Sequence, residues 1–201
     1  MTTKTSDQAE DVERALVARL KAGDGRAIDM LMQRHATRLR MLARRMLGRN
    51  DEADDLVQDA FIALWRQADR LDPERGAIGA WLTRVVVNRA IDRARRARFL
   101  RFIGLDSAPD TADDVPDPEQ AASARSEIAA VRADLEALPP RQRAAILLAA
   151  EEEASTASIA EALGLSAGAA EQLLVRGRRT LRLAAMKRAE AGETTGKAER
   201  S

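Results

Sequence analysis

Apolar residues recur along this chain every three or four positions, and no stretch alternates with period two, so the pattern predicts helices throughout. The first run is Val12, Ala15, Leu16 and Leu20, broken by Ala22, Gly23, Asp24 and Gly25. A second run holds Ile28, Leu31, His35, Leu39, Leu42 and Met46 and stops at Gly48, a residue suited to a left-handed helix end. Asn50 and Asp51 are good caps for a third helix. That helix carries Ala53, Leu56, Val57, Ala60, Phe61, Leu64, Trp65 and Ala68 on one face. Leu71 to Gly76 reads as a loop. A fourth helix is expected from about Ala80 to about Arg98, with Trp81, Leu82, Val85, Val86 and Ile91 as its apolar stripe. Four helices with short connections predict one bundle-like domain over residues 11–98.

The pattern then fails. Asp106 to Glu119 contains six acids and three prolines and no basic residue, so it is expected to be extended and flexible within a linker spanning 99–125. Helical spacing resumes with Ile128, Val131, Leu135 and Leu138. Pro139 and Pro140 interrupt it, Pro140 fitting the first position of a new helix with Ala144, Ile146, Leu147 and Leu148. Two more helices follow, Ser155 to Leu163 and Ser166 to about Arg188, completing a second domain over 126–189. Residues 1–10 and 190–201 are polar and expected to be disordered. The predicted fold class is all-α, two small helical domains joined by an acidic flexible linker.

Composition narrows the chemistry. Hydrophobic residues make up 45% of the 201 positions but aromatics only 2%, so the cores rest on aliphatic side chains. Charged residues reach 32% with a net charge of +1, a near-zero sum that conceals segregated acidic and basic segments. With no cysteine and one histidine, His35, the chain offers no disulfide, thiol nucleophile or Cys/His zinc site. No metal, cofactor or catalytic residue is expected. No apolar run approaches the roughly 20 residues of a membrane span, and the first ten residues lack a signal peptide's apolar core; a cytoplasmic protein is expected.

Ser158 to Ser166 is the most specific local signal. A short helix ends at Gly164, Leu165 plugs the angle, Ser166 caps the next helix and Ala160 is small where the two helices cross. This is the pattern of a helix-turn-helix, whose second helix enters the major groove, and equally of a helical hairpin with a glycine cap. Arg176, Arg178, Arg179 and Arg182 crowd the later half of that second helix and suit phosphates, or a solvated helix end. Gln172 can pair with adenine, and Glu171 can accept from cytosine or face solvent.

In the first domain, Asp54, Asp55, Gln58 and Asp59 lie opposite the apolar face of the third helix. Asp55 and Asp59 are one turn apart, a repulsive pair that a basic partner would relieve. One helix face does not converge as a magnesium site requires. The fourth helix carries Arg84, Arg89, Arg93, Arg95, Arg96 and Arg98 against the single acid Asp92, an electrostatic footprint for phosphate. Phe99 and Phe102 follow, suited to stack on a base or to pack the linker onto the domain.

The order of these parts resembles a known family. The run DEADDLVQDAFIALWR from Asp51 to Arg66 resembles the polymerase-binding segment of region 2 in sigma-70-type factors. DPERG from Asp72 to Gly76, and AWLTRVVVNRAIDR from Ala80 to Arg93, resemble the segment that reads the promoter −10 element. ALPPRQR from Ala137 to Arg143, with IAEALGLS from Ile159 to Ser166, resembles region 4, which reads the −35 element. With only the acidic linker between them, the chain is similar to the extracytoplasmic-function (ECF) group over about residues 12 to 188.

The resemblance implies that Asp54, Asp55, Gln58 and Asp59 meet the coiled-coil of the largest subunit of core RNA polymerase, and that the second domain meets its flap. It implies that the loop from Leu71 to Gly79 holds an extruded −10 base, with Arg75, Arg84, Asn88, Arg89, Arg93 and Arg96 as DNA contacts. Ser166, Gln172, Arg176, Arg178 and Arg179 would contact the −35 major groove, and the linker would enter the polymerase cleft. Where the family often carries TVKSRL, this chain has AAEQLL from Ala169 to Leu174, without the early lysine and arginine. The implied function is promoter-specific initiation, without a small-molecule substrate. The chain would be a monomer when free or a heterodimer with an anti-sigma factor. A sigma mimic that sequesters an anti-sigma factor without binding DNA is the alternative that Glu171 favours, although such a mimic needs neither the arginine helix nor the acidic linker. An independent helix-turn-helix repressor would leave the acids of the third helix without a purpose.

Overall fold

The computed structural model describes residues 3–48, 50–71, 78–104, 120–151 and 154–198. These residues form eight helices and one 3-10 turn, Ala68–Arg70. The helices are α1 (Thr3–Lys21), α2 (Gly25–Leu47), α3 (Asn50–Arg66), α4 (Ile78–Phe102), α5 (Gln120–Ala137), α6 (Pro140–Ala149), α7 (Thr156–Leu163) and α8 (Ala167–Ala198). The four helices expected in the N-terminal half and the helix-turn-helix in the C-terminal half are present. Boundaries differ at the ends. Helix α1 begins inside the first ten residues, and α8 runs past residue 190 to Ala198. The expected loop from Leu71 to Gly79 is shorter, because Ile78 and Gly79 already belong to α4. Arg75 and the acidic run from Asp106 to Glu119 lie outside the described residues.

Local signals set the helix ends. The Asp24 carboxylate accepts from the Arg26 N–H at 3.0 Å to start α2, and Gly48, at φ 74°, ends it by donating to Arg44 O at 2.8 Å. Helices α1 to α4 share a core of Leu20, Leu31, Leu39, Met46, Leu56, Leu64, Leu82 and Val86, each 0–2% exposed. Each such aliphatic side chain contributes about 1.5–3 kcal/mol on burial, which is how a chain this poor in aromatics holds together.

Helix α4 departs from the single stripe expected of it. Thr83 and Val87 are buried as well as Leu82 and Val86, because α4 is packed on two sides, by α2 and α3 and by α6 and α7. The core is correspondingly continuous: Leu147, Leu148, Ile159 and Leu163 belong to the same buried cluster as Leu39, Leu82 and Val87. The two halves are therefore distinct in pattern and joined in packing.

Candidate functional site

The predicted polymerase-facing residues sit on α3, and their surroundings divide them. Asp54 is ion-paired with Arg40 at 3.1 Å and Arg44 at 3.6 Å, both from α2. Asp59 is ion-paired with Arg89 at 2.9 Å and Arg93 at 3.8 Å, both from α4. Asp55 and Gln58 stand exposed between them, and Asp55 has no ion pair among the described residues. The Asp55–Asp59 repulsion expected from sequence is thus relieved from inside, by the arginines on the neighbouring helix.

One residue of this face was misplaced by the sequence pattern. Trp65 was expected on the packed side of α3, but it is 45% exposed, while its neighbour Leu64 is fully buried. Successive helical residues turn by about 100°, so the two cannot share a narrow seam. Trp65 instead continues the row Asp55, Gln58 and Ile62, with its ring edge lying near Gly25. The outer face of α3 is therefore acidic at one end and apolar at the other. Phe99 and Phe102, at 60% and 88% exposed, do not pack on the domain either.

On α4 the DNA candidates form two adjacent rows. Arg89, Arg93 and Arg96 recur at helical spacing on one, and Arg84 and Asn88 on the other. Arg93 is further fixed by donating to Glu52 O at 2.8 Å. The first turn of α4 is held from α2 by Arg38, which donates to Thr83 Oγ1 at 2.5 Å; Thr83 donates in turn to Gly79 O at 2.7 Å. Behind that turn, His35 Nε2 meets Glu13 Oε1 at 3.1 Å, and the His35 ring lies so close to Gly79 that a Cβ there would stand 3.0 Å from it. Burial opposes the charge on Glu13, but the His35 hydrogen bond and charge, the Gly79 amide and Arg34 together hold its carboxyl below the usual range. His35 was read from sequence as a core position. Its partner Glu13, from a different helix, carried no local signal.

The C-terminal half matches its sequence pattern closely. Ser155 and Ser158 form a reciprocal capping box on α7, Gly164 is left-handed at φ 62°, and Ser166 Oγ accepts from the Ala169 N–H at 3.3 Å to start α8. Ala160 is buried at the crossing as expected. Helix α8 buries Ala170, Leu174 and Gly177 on one side. A Cβ on Gly177 would come within 2.8 Å of Ile146 Cγ1, so this glycine lets α6 and α8 approach closely. The opposite side presents Gln172, Arg176 and Arg179, with Arg178 beside them, all exposed and without an ion pair among the described residues.

Comparison with known proteins bears on both halves. Residues 31–99 match the Sigma-70 region 2 family and residues 128–181 match Sigma-70, region 4. The RNA polymerase sigma factor CnrH of Cupriavidus metallidurans is 36% identical over 179 residues, covering 86% of this chain and 93% of that one. This chain belongs to the sigma-70 family, ECF group. The ECF RNA polymerase sigma factor SigM of Mycobacterium tuberculosis (strain H37Rv) is 35% identical over 166 residues, covering 83% and 81% of the two chains. A solved structure of CnrH in complex with the cytosolic domain of CnrY superposes with a TM-score of 0.63 at 31% identity, covering 85% of this sigma factor and 95% of that chain. The sigma factor RpoE of Bartonella quintana, solved in complex with the anti-sigma factor NepR, shares the fold at a TM-score of 0.59 and 22% identity, covering 79% and 96%.

Two positioning residues of this sigma factor, Glu13 and Arg143, have partners on distant helices that the sequence pattern does not indicate. Glu13 lies outside both family matches. Arg143 of α6 is buried at 6% exposure and donates to Met46 O, in the last turn of α2, at 2.5 Å, and also to Glu136 O. Burial pulls its guanidinium down from the usual arginine range, with Glu136 acting against that pull. No group of three or more metal-ligating side chains occurs among the described residues, and no helix among them is long and apolar enough to cross a membrane.

Proposed function

We propose that this sigma factor joins core RNA polymerase to a promoter in the cytoplasm, recognising −10 and −35 elements and assisting melting, with no chemistry or cofactor of its own. The observation that carries the reading is the outer face of α3. Asp55 and Gln58 are left exposed while Asp54 and Asp59 on either side are neutralised by neighbouring helices. A basic coiled-coil of the polymerase is the partner such a face fits, and Ile62 and Trp65 extend it with apolar area. On α4, Arg84, Asn88, Arg89, Arg93 and Arg96 are assigned to the −10 element, together with Arg75 from the preceding loop. On α8, Ser166, Gln172, Arg176, Arg178 and Arg179 are assigned to the −35 element, the arginines to phosphates and Gln172 to a base edge.

Extruding a base costs a few kcal/mol, so melting draws on contacts that only the assembled polymerase supplies. The free protein accordingly binds promoter weakly. A restraining partner of the anti-sigma kind is part of the proposal, since the similar CnrH has been solved with the cytosolic domain of CnrY. Run-off transcription with core polymerase on a genomic promoter library tests the reading. Discrete initiation sites preceded by a shared −10 and −35 pair are expected. Failure on every template, alongside tight binding of an anti-sigma factor, would replace this reading with that of a sigma mimic.

A further inference from the structure

Helix α1 sends one charged side chain into the packed side of the N-terminal half. Leu16, Val17 and Leu20 make its buried face, and Glu13 lies one turn earlier on that face. The Glu13 side chain is 14% exposed, and that of its partner His35, on α2, is 12% exposed. One carboxylate oxygen, Oε1, stands 3.1 Å from His35 Nε2. The other, Oε2, is buried and has no hydrogen-bond partner among the described residues. Burying a carboxylate is costly, and an apolar side chain at this position would pack without that cost. Packing alone therefore does not account for Glu13.

What the pair faces is the backbone of α4. Gly79, the second residue of that helix, has no side chain to hold the ring away: a Cβ there would stand 3.0 Å from His35 Cε1 and 3.4 Å from Nδ1. The Gly79 amide is near enough to favour the charge on Glu13, and it is among the first-turn donors that a helix leaves unsatisfied. An anion beside such donors is favoured by the helix dipole. The Gly79 carbonyl is held as well, since Thr83 Oγ1 donates to it at 2.7 Å and Arg38 donates to Thr83. His35 and Arg38 are one turn apart on α2. The first turn of α4 is thus seated from α1 and α2 at a single glycine.

The position of that seat is felt further along the helix. Arg84 and Asn88 follow Gly79 by five and nine residues, about 7.5 and 13.5 Å along the axis at roughly 1.5 Å per residue. A helix transmits such shifts as a nearly rigid element, so a displaced first turn carries both side chains with it. Recognition tolerates placement errors of only about 0.5 Å. We propose that Glu13 and His35 are positioning residues for the −10 element: by seating Gly79 they set where α4 presents Arg84 and Asn88 to the promoter strand. The proposal rests on the promoter reading above. It also gives α1, which lies outside both family matches, a part in promoter recognition.

Holoenzyme assembled from core polymerase and the full-length chain tests this on a promoter mapped by run-off transcription. Glu13→Ala should lower open-complex formation, read as permanganate reactivity in the −10 region, about five-fold. Binding to core polymerase and to a −35 duplex should stay within about two-fold of wild type, at a temperature where the variant is folded. Equal losses in all three would make Glu13 a residue of stability alone and overturn the proposal, as would unchanged opening.

Gly79→Ala separates seating from stability, because alanine favours the helix while its Cβ presses on the His35 ring. It should lower opening about five-fold without lowering the melting temperature. His35→Ala removes the ring, so the Gly79→Ala, His35→Ala double variant should lose no more than His35→Ala alone. Losses that multiply would overturn the proposal. Amide exchange over Ile78 to Thr83 reads the seat without a promoter and should quicken about ten-fold in Glu13→Ala; unchanged exchange also overturns it. A wild-type chain that opens no promoter, with exchange quickened in the variant, would sink the promoter reading and leave the seat in place.

Discussion

The two halves of this sigma factor carry their charges in opposite ways. In the N-terminal half, the acids of α3 and the arginines of α4 neutralise one another through Asp59, Arg89 and Arg93, and Asp54 is held by α2. In the C-terminal half, Arg176, Arg178 and Arg179 project from α8 without an ion pair among the described residues. The first half is thus arranged around charges fixed before any partner arrives. The second offers bare cations on a scaffold set by caps and a close helix crossing. A partner of the first half must fit an existing electrostatic pattern, whereas a partner of the second meets long side chains free to settle on phosphates.

The largest effect is expected where the fixed pattern leaves a gap. Asp55→Arg should weaken binding to core polymerase more than ten-fold, on the order of 1.4 kcal/mol or more, and leave thermal stability unchanged. Co-purification at wild-type level would remove α3 from the interface. Next comes the scaffold of the second half. Gly177→Ala gains about 1 kcal/mol of helix propensity but forces Ile146 away, and overpacking of this kind costs about 1–3 kcal/mol. A net loss of roughly 1 kcal/mol in urea unfolding is expected, and a stabilised variant would show that α6 and α8 are not held at this crossing.

Smaller again is Arg176→Ala, expected to weaken −35 duplex binding several-fold on all sequences alike and to lower the salt slope by about 1. A loss confined to one base position would make Arg176 a reader of bases. The smallest is Glu13→Gln, expected to lower the melting temperature at neutral pH by about 2–4 °C, the scale of ~1 kcal/mol in a domain this size. Because the folded-state carboxyl of Glu13 lies below its ordinary value of 4.5, its contribution is present above that value and fades as pH falls through the folded pKa. The difference between variant and wild type should therefore shrink in acid, and a constant difference down to pH 3 would contradict the assignment.

The same contrast explains what could be read from the chain in advance. The turn of the C-terminal half is written in consecutive residues, Ser155 to Ser166, because caps and a left-handed glycine act over one turn; it was legible. The helices of the N-terminal half were legible too, as spacing. What escaped was whatever joins distant segments. Glu13 and His35 lie on different helices, Arg143 and Met46 are separated by 97 residues, and Val87 is buried on a helix that α6 and α7 cover as well as α2 and α3. Trp65 escaped for a different reason: beside Leu64, it looked like part of one stripe that helical geometry cannot make so wide. The candidate residues lie on helices that the spacing predicted, while the pairing of Asp54 and Asp59 was invisible without their partners.

The separation between Met46 and Arg143 also has a meaning in time. A ribosome adding about 5–20 residues per second needs roughly 5–20 s to make the 97 residues between them. Helix α4 is complete at Phe102, so for the last 41 of those residues, roughly 2–8 s, the nascent N-terminal half has its α4 surface open and the end of α2 uncapped. A newly made chain therefore passes through a stage in which α4 is packed only by α2 and α3, before α6 and α7 cover its other side.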